Sequence, residues 1–228
     1  MELKGKALFN LLKISLQEEK PSGVLPWQVE DLKSLSIEEL FSRLSKLSLI
    51  LDEASFYLYA ENCETPEELA ECLCCDEEPL TERHDQIYLL VFEMWRRLIK
   101  EKFCLSIFCD ELDHWIEMYD RGELIDEEPL QKALALLEDI LDEAFHQASD
   151  PKHILKEVSS YCAHDLEQFL VDYIADQIVQ KNEVYASELI DAFSDYASDL
   201  RRFKLLRASL VALSDLETAN MLYERALS

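Results

Sequence analysis

Two Glu-x-x-His pairs, Glu111/His114 and Glu143/His146, carry the residue types and spacing of a metal centre. Positions three apart share a helix face, and helical bundles use two such pairs with two further glutamates to hold a pair of irons in the core. Here the helical phase points the pairs elsewhere. At about 100° per residue, Leu112, Trp115, Ile116 and Tyr119 define the buried side of one helix, and Glu111 and His114 fall off it. Leu130, Leu134, Leu137, Leu141 and Ala144 form the buried stripe of the next, with His146 roughly opposite. The spacing predicts two solvent-facing pairs, and no metal is expected.

The other chemistry-bearing groups are sparser. Cys72, Cys74 and Cys75, with Cys63 upstream and His84 downstream, offer thiolate and imidazole for zinc, yet a zinc knuckle pairs its cysteines as Cys-x-x-Cys around a turn. These thiols are expected to be buried or simply exposed, and Cys104, Cys109 and Cys162 to fill core. A calcium loop over residues 117–128 would put Glu117, Tyr119 and Arg121 at the early ligand positions around Gly122, and an arginine there opposes the cation. The three glycines are isolated, so no phosphate-cradling loop exists, and no serine or histidine sits in the spacing of a triad or a nucleophile elbow. No catalytic residue and no cofactor are expected.

The elements that would position such groups are all helices. Residues 86–99 are apolar over most of the helical wheel, the pattern of a helix wrapped by others. Ser36 and Glu39 are spaced as a capping box, opening a long helix to about Tyr59. Thr65-Pro66-Glu67-Glu68 opens a short one to about Cys74, with a cap, a proline at the first helical position and acids at the positive dipole end. Pro79 and Thr81 restart the chain into the central helix, which runs to about Lys102. The next covers about Ile107–Tyr119 and stops at Gly122. Pro129 opens a helix to about Ala148, and Asp150-Pro151 a short one to about Tyr161. Four more follow at about 163–180, 186–198, 200–213 and 215–227. With an N-terminal helix within residues 1–20, set off by a linker at 21–35 that contains Pro21, Gly23 and Pro26, about eleven helices are expected. The fold class is all-α, with residues 36–228 as the helical domain. Trp27 is expected in the core.

Composition agrees. Apolar residues make up 49% of the 228, enough for a sizeable core, and with only 3 glycines a turn-rich β fold is excluded. No apolar run is long enough for a membrane span, and the start of the chain lacks the unbroken apolar stretch of a signal peptide. Seven unevenly spaced cysteines fit a reducing cytoplasm. The net charge of -26 repels nucleic acid and anionic membranes. Between residues 47 and 82 there are eleven acids and no base, whereas bases cluster at Arg96, Arg97, Lys100 and Lys102, and again at Arg201, Arg202, Lys204 and Arg207. Two readings stand: the bases balance neighbouring acidic helices, or Glu64, Glu67, Glu68, Glu71, Asp76, Glu77 and Glu78 form a surface for a basic partner protein or peptide.

Short words recur in order. Residues 50–54 match 140–144, His84-Asp85 matches His164-Asp165, and Glu111-Leu112 matches Glu188-Leu189. The recurrence suggests duplicated units at about 36–120 and 129–198, followed by a helical hairpin at 200–227. In that hairpin Phe203, Leu206 and Leu210, the turn Ser214-Asp215-Leu216, and Ala219, Tyr223 and Ala226 resemble a single tetratricopeptide repeat, with Arg207 in place of the small residue of that pattern. The resemblance implies a helical-repeat fold that binds proteins. The run from Glu78-Pro79 through His84 into the apolar helix, with Leu112 and Trp115 beyond, resembles the Glu-Pro-x-Asp-His region of the all-α chaperones that mature molybdenum enzymes, with His84 preceding Asp85. That resemblance implies a chaperone for a redox-enzyme client, and an acidic secretion chaperone is a related possibility. The leading expectation is a non-catalytic cytoplasmic interaction module. A helical-bundle enzyme or metal protein is the remaining class.

Overall fold

The computed structural model describes Trp27, residues 30–74, 82–146 and 151–227. The helix expected within residues 1–20, most of the linker, Pro79, Thr81 and Asp150 lie outside the described residues. Those that are described form eleven α-helices and no strand: α1 Ile37–Lys46, α2 Glu53–Glu61, α3 Pro66–Leu73, α4 Glu82–Leu98, α5 Leu105–Asp120, α6 Glu128–Phe145, α7 Pro151–Ser159, α8 Leu166–Val179, α9 Glu183–Phe193, α10 Leu200–Val211 and α11 Leu216–Leu227. Two 3-10 turns, Leu32–Ser34 and Ser194–Tyr196, complete them.

The agreement with about eleven helices conceals an exchange. The single helix expected from Ser36 to Tyr59 is two. Ser36 does cap α1, accepting from the Glu39 amide at 3.2 Å while Glu39 Oε2 accepts from the Ser36 amide at 2.8 Å. But α1 stops at Lys46. Ser48 adopts a φ of 64°, its amide donates to Ser45, and the Leu49 amide reaches back to the Leu44 carbonyl. This is the left-handed stop that glycine ordinarily provides. Asp52 then opens α2, accepting from the Ser55 amide at 2.8 Å. The central helix α4 also ends sooner than expected, at Leu98.

The chain divides into two compact units, Met1–Glu111 and Leu112–Ser228, the division falling inside α5. In the first, α4 is buried on every face from Ile87 to Trp95, and Trp95 itself is 0% exposed. Leu40 and Leu44 of α1, Phe56 and Ala60 of α2, and Leu69 and Ala70 of α3 pack into the same core. Each fully buried large side chain contributes roughly 1.5–3 kcal/mol relative to exposure. Residues 30–35, assigned from sequence to the linker, are held down. Leu32 and Leu35 pack on this core, and Arg97 donates to the carbonyls of Leu35, Leu32 and Lys33 at 2.6, 3.0 and 3.1 Å. Trp27 is half-buried and lines a cavity of about 240 Å³ with Leu32, Leu47 and Leu90.

In the second unit, Leu130, Leu134, Leu137 and Leu141 bury one stripe of α6, as their spacing predicts. Phe169, Leu170, Tyr173 and Ile174 of α8, Leu189, Ile190 and Phe193 of α9, and Phe203 and Leu206 of α10 are buried, and the three helices pack on one another. The hairpin α10–α11 closes through small residues: Ala208, Ala219 and Ala226 are buried, which lets the backbones approach. The recurring words differ in setting. Residues 50–52 precede a helix and leave Ile50 exposed, while 140–144 lie within α6 with Leu141 buried. His84 lies in the first turn of α4, while His164 precedes α8.

Candidate functional site

The seven acids proposed from sequence distribute unevenly. Asp76, Glu77 and Glu78 lie outside the described residues, as does Cys75. Glu64 and Glu71 are exposed. Glu68 is exposed but engaged, since its Oε2 accepts from the Glu64 amide at 2.7 Å while its own amide donates to the capping Thr65 hydroxyl at 3.2 Å. Glu67 is half-buried and faces inward, with the Cys104 thiol 4.0 Å from its Oε2. Burial, and after it the Glu67 carboxylate, push the Tyr88 phenol beneath it well above the ordinary tyrosine value.

Of the bases that sequence set against this stretch, Lys102, Arg96 and Arg97 reach other groups. Lys102 Nζ donates to the carbonyls of Ala60, Glu61 and Cys63 at 3.1, 3.2 and 2.6 Å. It thereby closes the C-terminus of α2, where cationic groups meet unpaired carbonyls and the negative dipole end. Its ammonium lies 5.9 Å from the Trp95 ring centre. Arg96 pairs with the buried Asp110 and lies 3.5 Å from Glu93, and Arg97 joins Glu93 at 2.8 Å. Arg83 donates to the Leu47 carbonyl at 2.7 Å. Among the described residues Glu53, Glu61, Glu64, Glu67 and Glu68 form no ion pair. Arg83, Arg96, Arg97 and Lys102 hold backbone carbonyls and buried carboxylates in place.

Beside those acids α2 exposes an apolar face. Phe56 and Ala60, one turn apart, are its buried residues. Tyr57, Leu58 and Tyr59 are exposed, Leu58 by 62%, and sweep about 200° of the wheel. Glu53 and Glu61 lie one turn either side of Tyr57 on the same stripe. Ile50, in the preceding loop, is 88% exposed. Sequence reasoning had treated the acids of this region and missed its tyrosines; the available signal was that residues 56–60 are apolar throughout while only two helical positions of five can face one core.

A second concave region lies in the other unit. The α6 stripe Glu138, Asp142 and Phe145 faces Glu188, Asp191 and Ala192 of α9, with Asp195 and Tyr196 of the 3-10 turn and Pro151 of α7 completing a groove of about 790 Å³. The Tyr196 hydroxyl donates to Asp142. Partial burial, then the charges of Asp142, Asp139 and Glu188, raise the Glu138 carboxyl above its ordinary value. Like charges one helical turn apart cost about 0.2–0.5 kcal/mol. The sequence holds this stripe in plain view at positions 138, 142 and 145, and it was not singled out.

The metal and triad readings can be placed too. Glu111, His114, Glu143 and His146 are exposed, on the faces expected. Among the described residues no group of three or more His, Cys, Asp or Glu side chains is placed to hold a metal ion. Cys63, Cys74, Cys104, Cys109 and Cys162 are buried and Cys72 is exposed. Gly122, at a φ of 65°, follows the end of α5, and Arg121, one residue past that helix, pairs with Glu117 at 2.7 Å. No described helix is long and apolar enough to cross a membrane. Comparison of the chain with family models, with curated proteins and with solved structures returned no match.

Proposed function

We propose that this chain is a non-catalytic, cytoplasmic protein–protein interaction module whose α2–α3 surface receives a basic or helical segment of a partner protein. One observation carries the reading: three consecutive apolar residues, Tyr57, Leu58 and Tyr59, are exposed beside Glu53, Glu61, Glu64 and Glu68, which form no ion pair among the described residues. Exposed aromatic and aliphatic side chains beside charge are the composition of an interface centre with its rim, the apolar residues giving affinity and the charges rate and selectivity. The close Ala219 and Ala226 packing of α10–α11 supports a tetratricopeptide-like, helical-repeat reading of the C-terminal hairpin. The cysteine usage supports a reducing compartment.

The test is affinity purification of the full chain from its native cell, compared with a Tyr57→Ser/Leu58→Ser variant and a Glu64→Lys/Glu71→Lys variant. A partner protein with a basic segment is expected with the unaltered chain and is expected to be lost from both variants. The same proteins retained by all three would overturn the surface.

A further inference from the structure

We propose that the groove between α6 and α9 is a second docking site, for an arginine-bearing amphipathic segment of another protein. It stands on the second unit alone and does not depend on the α2–α3 surface.

Two features of the groove select that occupant. The first is charge. Glu138, Asp142, Glu188 and Asp195 line it and form no ion pair among the described residues. Asp191 is matched by Arg207 reaching across from α10, with the Ser187 hydroxyl 3.4 Å from the same guanidinium. Glu138 and Asp142 on one helix stripe and Glu188 on the facing one repel one another, with Asp195 at the rim, and a cation placed between them relieves that repulsion. The second is the apolar part of the lining. Phe145 is 45% exposed and meets the Tyr196 ring edge-to-face, with centres 6.3 Å apart, beside Pro151 and Ala192. A simple inorganic cation would leave that surface wet. An arginine covers it, because the planar guanidinium forks onto carboxylates while its faces and its methylene stem lie against aromatic rings. Apolar neighbours on the same segment would cover the rest of Phe145. The Tyr196 hydroxyl bond fixes the Asp142 carboxylate at the aromatic edge, where such a fork would meet it.

The probe is a short end-blocked peptide of alternating arginine and leucine, titrated by calorimetry into the full chain carrying Glu64→Lys/Glu71→Lys, which closes the α2–α3 surface to a basic segment. Its counterpart carries citrulline, which keeps the shape and removes the charge. Three further variants are made in that background: Glu138→Gln/Glu188→Gln in the groove, Phe145→Ala on its floor, and Glu217→Gln/Glu224→Gln on α11, which removes the same charge from exposed positions elsewhere. The arginine peptide is expected to bind and the citrulline peptide not to bind. The groove pair and Phe145→Ala are each expected to weaken binding by about tenfold, and the α11 pair to leave it unchanged. Equal losses from the groove and α11 pairs would show diffuse attraction to an acidic protein and overturn the proposal, as would equal binding of the citrulline peptide or an unaltered affinity in Phe145→Ala. Every titration is made with the α2–α3 surface closed, so the two surfaces fail separately.

Discussion

The Asp113 carboxylate grips His164 by both its ring and its backbone. One oxygen takes Nδ1 at 2.8 Å and the His164 amide at 3.1 Å, and the other takes the Ala163 amide at 2.8 Å. Asp113 lies on α5 and is 3% exposed, so the turn before α8 is pinned to that helix by a buried charge. The neighbouring Asp165, adjacent to His164 in sequence, does something else: it caps α8, accepting from the Gln168 amide at 3.0 Å. Removing a buried acceptor leaves its donors unsatisfied. Asp113→Ala is expected to destabilise the protein by roughly 3 kcal/mol, and Asp113→Asn, which keeps one acceptor, by less. Urea midpoints of the two variants measure the difference. Equal stability of the unaltered protein and Asp113→Ala would remove the carboxylate from the account.

Among the described residues three helices end in the same left-handed geometry, and one of the three uses glycine for it. Ser48, Gly122 and Lys181 have φ values of 64°, 65° and 64°. In each case the next amide reaches back to the carbonyl five residues earlier: Leu49 to Leu44, Glu123 to Met118 and Asn182 to Gln177. A side chain in this conformation costs roughly 1 kcal/mol. Lys181→Gly is therefore expected to stabilise by roughly 1 kcal/mol. Gly122→Ala, where an added Cβ would meet nothing within 4 Å, is expected to destabilise by a similar amount through backbone strain alone. Thermal unfolding of both variants checks the pair of signs.

Those three turns also show what could be read from sequence and what could not. Gly122 announced the end of α5 because only glycine is at ease there. Ser48 announced nothing, since it sits in the apolar run Leu47-Ser48-Leu49-Ile50-Leu51, which continues a helical pattern as well as it interrupts one. The usable signal was four residues on, where Asp52 and Ser55 form a capping box. Ser36/Glu39, Thr65-Pro66 and the α6 leucine stripe were legible because each rests on bonds or contacts within one helix. Apart from Glu93, one turn from both arginines, the destinations of Arg96, Arg97 and Lys102 were not, because those carbonyls and the Asp110 carboxylate lie 14 to 65 residues away in sequence, and nothing in their spacing names them. The two surfaces fall between these cases. Their residues were visible as stripes, and only packing shows which stripe is left uncovered.

Arg97 gathers three backbone carbonyls and the Glu93 carboxylate, which is 3% exposed. Arg97→Met preserves the stem and removes every donor. It is expected to cost roughly 3 kcal/mol and to speed hydrogen exchange through residues 30–35 ahead of α4. Arg97→Lys, a point charge in place of a fork, is expected to recover only part of the loss. A uniform change across the whole first unit would contradict the local role.

The Glu138 carboxyl links the groove to stability. Its raised pKa means that the folded protein holds this proton more firmly than the unfolded chain does. The associated stability is complete below the ordinary glutamate value and is lost as pH rises through the folded-state value. Above that value the ionised carboxyl carries the cost of its burial and of its acidic neighbours. Glu138→Gln is expected to raise the melting temperature at neutral pH, with the gain shrinking as pH falls into the carboxylate range. A gain independent of pH would point to a cause other than charge.

The interaction reading is tested most directly by hydrogen exchange on the full chain, alone and with the partner it purifies. The account predicts slowed exchange in α2 and α3 when the partner is bound, with the protection weakening as salt is raised. Unchanged exchange across both helices in a confirmed complex would contradict it.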